Sequence, residues 1–213
     1  MRKSFWLIAP YATWMALMAA LPATATAYAV RTAVTAALLA AGWRKGLETL
    51  DERRETCFPS NVSSPRKSFV SRLKSSLPPG ILVGLAVFVI WILPEQFDIP
   101  LYRRFCIICE GGTQAAAEAS ATMIAVRLVG SAFVISVAEE LFFRKWLISF
   151  AGFWWMVGLF AIEHDRWLVG AIAGVAYGWL YLRKGLGAAI VAHATTNLVL
   201  GLWVIRSGQW QFW

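Results

Sequence analysis

Glu139, Glu140 and Arg144 in VAEELFFRKWL, His164 in FAIEH, and His193 with Asn197 in HATTN combine reactive side chains with apolar surroundings. The two histidines are the only ones in the chain. Glu140 and Arg144 stand four apart with the acid first, the favourable order for an ion pair along one helix face. Glu139 is turned from Glu140 by about 100° and has no basic residue three or four positions away, so its carboxylate is free for chemistry. A carboxylate and an imidazole holding one water make a general-base pair, and a second imidazole with a carboxamide can donate hydrogen bonds to a developing oxyanion. No Ser or Cys is placed beside them for nucleophilic attack. The pattern therefore points to direct hydrolysis by an activated water, with no covalent intermediate.

The elements that must bring these groups together are membrane helices. The 213 residues are 59% apolar and 15% charged, with a mean hydropathy of +0.59, whereas a soluble domain is about 45–50% apolar and about 25% charged. The 12 Trp favour the membrane–water interface. The composition implies an all-α polytopic membrane protein. Apolar runs at 5–21, 25–43, 81–93 with flanks, 120–150, 153–162, 167–182 and 186–205 predict seven transmembrane or membrane-embedded helices. If the chain reverses at Ala151-Gly152, Glu139 and His164 both lie roughly 18 Å from that turn. Asp165 and Arg166 then break a helix within the bilayer, which is tolerated only where the break is buried or lines a wet cavity. His193 follows the 185–187 turn and Asn197 follows one turn later on the same face, so both can point into that cavity.

Charge placement sets orientation. Between Arg44 and Pro79 lie eight Lys/Arg against four acids; the loop from Glu95 to Ala119 has Arg103 and Arg104 only. Eight basic residues against two place the first loop in the cytoplasm, together with Arg2, Lys3, Arg144, Lys145, Arg183 and Lys184. The expected location is an integral membrane one with the N-terminus cytoplasmic; the bacterial inner membrane is what the resemblance described below implies. Residues 1–43 form two helices, 44–79 a basic loop, 80–119 a third helix and outer loop, and 120–213 the helical core of a single domain. The first segment, which also resembles a signal peptide ending in ATATA, is read as a retained helix. Arg31 is read as snorkelling and Arg127 as paired with a carboxylate. The basic residues are dispersed between apolar runs rather than gathered in a stripe, which argues against nucleic-acid binding. Cys57, Cys106 and Cys109 cannot all pair, and the sequon at Asn61 falls in the cytoplasmic loop.

EELFFR (Glu139 to Arg144), FAIEH (Phe160 to His164) and HATTN (His193 to Asn197) resemble the EExxxR, FxxxH and HxxxN motifs of the CPBP intramembrane proteases, a family that includes CAAX endopeptidases and bacteriocin-processing proteins. The linker EHDRWLVGAIAGVAYGWLYLRKG and the start FWLIAPYATWMAL resemble the exosortase-associated CAAX-protease-related branch. The resemblance implies that Glu139 and His164 activate the water, that His193 and Asn197 stabilise the oxyanion, and that Glu140 and Arg144 support them. It implies metal-independent glutamate catalysis, with zinc on Glu139, His164 and His193 as the alternative. The implied partners are the lipid bilayer and a membrane-anchored protein or peptide substrate, with a functional link to an exosortase sorting system. No feature of the sequence speaks for a prenyl group. Two other functions use the same residues: a transporter or proton relay, against which stands the lack of repeated halves, and a non-catalytic scaffold that keeps the fold.

Overall fold

The computed structural model describes residues 2–44, 69–97 and 120–212. Residues 45–68 and 98–119, which hold the three cysteines, Asn61 and most of the basic and outer loops, lie outside the described residues. Seven helices follow in order: α1 (Arg2–Ala20), α2 (Ala25–Arg44), α3 (Phe69–Gln96), α4 (Ala121–Ala151), α5 (Phe153–Ile162), α6 (Trp167–Lys184) and α7 (Leu186–Ser207), with a short 3-10 turn at Trp210–Phe212. Among the described residues there is no strand. Four helices are long and apolar enough to cross a membrane: α2, α3, α4 and α7. The all-α membrane architecture expected from composition is what the structure shows.

Two glycines make the sharp reversals. Gly152 joins α4 to α5 at φ 94° and Gly185 joins α6 to α7 at φ 93°, a left-handed region that side chains with a Cβ rarely enter. Ser120 starts α4 by accepting the Met123 N–H at 3.2 Å, as an N-cap should. Arg31 donates to the Leu21 and Pro22 carbonyls at 3.0 and 2.8 Å. It therefore ties down the α1–α2 turn rather than reaching for the lipid headgroups.

Apolar lipid gives helices no hydrophobic reason to associate, so close backbone approach through small residues takes over. α3 and α7 run parallel with Ser76 beside Gly187, Gly80 beside Val191 and Gly84 beside Ala192 and Thr195. Gly80 and Gly84 form a GxxxG pair on the face that α7 covers. α5 packs antiparallel on α6 through Gly170, Gly174 and Gly178. Phe143, Met156, Phe160, Tyr177, Leu180, Ala188 and Ala192 fill the core between α4, α5, α6 and α7.

One boundary differs from the sequence expectation. α3 begins at Phe69 and runs through Pro78 and Pro79, so it takes in the last part of the stretch read as loop; a proline loses a donor but leaves its own carbonyl available. The break at 163–166 lies beside Glu95 in the last turn of α3. α5 starts alongside Gly178, short of the end of α6, so its ten residues suffice to reach the far end of the bundle.

A Cβ at Gly84 would stand 2.7 Å from Thr195 Cβ, whereas one at Gly158 meets nothing within 4 Å. Gly84→Leu is expected to push α3 off α7 and destabilise the protein by about 1–3 kcal/mol. Thermal unfolding in detergent reads this, with Gly158→Leu expected to match the parent.

Candidate active site

α4 is widened at two places, by π-helical turns at Gly130–Ile135 and Glu140–Leu147. The five-residue bonds Ser136 N–H to Ser131 O and Ile148 N–H to Phe143 O mark them. Such segments occur mostly at functional sites. Here they flank Glu139 and change which side chains of α4 face inward: Ser136, Glu139, Glu140 and Arg144 are all buried.

Glu140 and Arg144 form the expected ion pair at 3.1 Å, and neither side chain is exposed. The guanidinium lies 4.0 Å from the centre of the Phe160 ring, so the first residue of the FAIEH motif supplies a cation–π face for it. Glu140 also accepts from His193 Nδ1 at 2.9 Å, a contact that helix-face reasoning did not foresee. Arg127, expected to meet a carboxylate, has its guanidinium 5.8 Å from the Tyr28 ring.

Glu139, His164, His193 and Asn197 line one cavity of about 280 Å³. Glu139 Oε2 is buried and accepts no hydrogen bond from the described protein groups; His193 Nε2 stands 3.7 Å from it. His164 Nδ1 lies 2.7 Å from the Phe160 carbonyl. A carbonyl only accepts, so Nδ1 carries the proton and Nε2 of the neutral ring keeps its lone pair. His193 Nδ1 is likewise the donor to Glu140, and Tyr177 stacks on the His193 ring at 5.1 Å.

Asn197 lines the cavity, yet its Nδ2 donates to Ser131 O and Ser136 Oγ, both at 3.1 Å. Both N–H bonds are engaged, and they hold α7 to the first widened turn of α4. Ser131, Ser136 and Tyr177 were not singled out in the sequence, and neither was Glu163, whose side chain also lines the cavity. Glu163 sits immediately before His164, and Tyr177 lies between Gly174 and Gly178; these neighbours were the available signals. Among the described residues, no three His, Cys, Asp or Glu side chains are grouped to hold a metal ion, so Glu139, His164 and His193 do not form a ligand cluster in this conformation.

Residues 121–199, which run from the start of α4 to the Asn197 turn, match the family described as type II CAAX prenyl endopeptidase, Rce1-like. No curated protein and no solved structure matches the chain. The match supports a CAAX-type membrane protease, a hydrolase, at the level of the family.

Breaking a buried ion pair strands a charge and costs about 3–5 kcal/mol. Arg144→Met is expected to lose that much stability, while the double variant Glu140→Gln/Arg144→Met recovers most of it. Denaturant unfolding of the two variants checks this.

Proposed function

We propose that the protein is an intramembrane endopeptidase that hydrolyses a membrane-proximal peptide bond with a water activated by Glu139. The observation that carries this reading is the single cavity lined by Glu139, both histidines and Asn197. Glu139, with an unbonded buried oxygen, and His164, with a free Nε2, hold the water between them. The water's proton passes to the Glu139 carboxylate as its oxygen attacks the peptide carbonyl carbon. The carbonyl oxygen takes up the negative charge, and on collapse the C–N bond breaks and Glu139 returns the proton to the leaving nitrogen.

His193 stabilises the oxyanion. With Nδ1–H committed to Glu140, its Nε2 offers a proton only as imidazolium. Asn197 joins as a donor by turning one N–H away from Ser136; otherwise it positions α7. No step is routed through a metal, since the residues that would hold zinc are not grouped. The linker between the last two motifs supports the exosortase-associated branch, which an exosortase gene beside this one would strengthen. The charge pattern supports an orientation with the N-terminus in the cytoplasm, and the resemblance to the exosortase-associated branch supports a bacterial inner membrane.

Glu139→Gln is expected to lower peptide cleavage by about 10²–10⁴-fold with the fold intact, whereas a chelator leaves the parent's rate unchanged. Undiminished cleavage by Glu139→Gln removes the glutamate from the reaction.

A further inference from the structure

Among the described residues, the cavity is shut at one end and open at the other. Towards the Gly185 turn, Tyr177, Arg144, Ala188 and Ala192 are at most 1% exposed, so no space continues beyond His193. At the opposite end the lining finishes at Arg166, Gln211 and the exposed Asp165. Arg166 donates from Nε to Glu95 at 2.7 Å and from Nη1 to the Gln211 carbonyl at 3.1 Å, so this mouth is level with the last turn of α3.

The two ends differ in charge. The shut end is where Arg183 and Lys184 close α6. α2 runs parallel to α4, with Tyr28 Oη on the Arg127 carbonyl and Thr32 next to Gly130, so its C-terminal end at residue 44 points towards the same end. The stretch from Arg44 to Pro79, with its eight basic residues against two in the Glu95–Ala119 loop, marks that end as cytoplasmic.

We propose that the cavity admits substrate from the non-cytoplasmic face, and that the substrate is a membrane-anchored protein whose scissile segment has already crossed the bilayer. This rests on the endopeptidase reading and adds the side and the form of the substrate. His193 lies roughly 21 Å along α7 from Ser207, so a segment coming from that end must be extended over about six residues to bring a carbonyl to Glu139. A folded domain placed hard against its anchor does not qualify; an unfolded tail does.

The test uses the full chain in bacterial membranes, with the three native cysteines replaced by Ser and one cysteine introduced, as Asp165→Cys at the mouth or Arg183→Cys at the shut end. A membrane-impermeant maleimide is added to spheroplasts and to inverted vesicles. Asp165→Cys is expected to label in spheroplasts and Arg183→Cys only in inverted vesicles. The reverse pattern overturns the proposal, as does an Asp165→Cys that labels from neither side. In parallel, two anchored reporters carry the same unfolded tail on opposite sides of the membrane. Cleavage of the outer tail alone supports the proposal and cleavage of the inner tail alone overturns it. Cleavage of neither overturns the endopeptidase reading, while the labelling still decides which way the cavity opens.

Discussion

The buried pair of Glu140 and Arg144 is the constraint around which the helices are arranged. Two charges without exposed surface carry a desolvation cost that their mutual attraction offsets only if their other partners are also in place. For Arg144 these are the ring faces of Phe160 on α5 and, at 5.4 Å, Tyr177 on α6. For Glu140 it is the His193 imidazole on α7. Displacing any one of these helices would leave a charge short of its surroundings. The pair thus sets the relative positions of four helices, and Glu139, one residue away, is placed as a by-product.

The widened turns of α4 do the finer positioning. In a regular helix, adjacent glutamates diverge by about 100°, and one of them would be expected to face away from the core. Between two π-helical segments both are buried, with Glu140 against Arg144 and His193 and Glu139 in the cavity. The carbonyl of Ser131 accepts from the Ser136 amide and hydroxyl and from Asn197. One distortion of α4 is thereby fastened to α7, and the HATTN segment is held at the depth of the two glutamates.

The helical class, the seven segments and the Glu140–Arg144 pair were legible because each follows from a local pattern: an apolar run or a four-residue spacing. So was the shared cavity, since equal chain lengths either side of Gly152 bring Glu139 and His164 together. The widened turns were not legible, because they arise from packing against α7 and leave no residue signature in GSAFVI. The Glu140–His193 bond was missed for the same reason: it joins groups 53 residues apart whose facing depends on the distorted turn.

A water-filled site deep in a membrane must not let protons leak across it. In the wall of the cavity, the hydrogen bonds run from Tyr177 Oη to Thr196 Oγ1 at 2.6 Å, and from there to the Gly84 and Ala192 carbonyls at 2.8 and 3.1 Å. A carbonyl oxygen has no proton to hand on, so a chain that ends there cannot conduct. With α3 and α7 in close contact at Gly80 and Gly84, the chain ends in the seam between those two helices, and this branch of the cavity's hydrogen bonding gives a proton nowhere further to go.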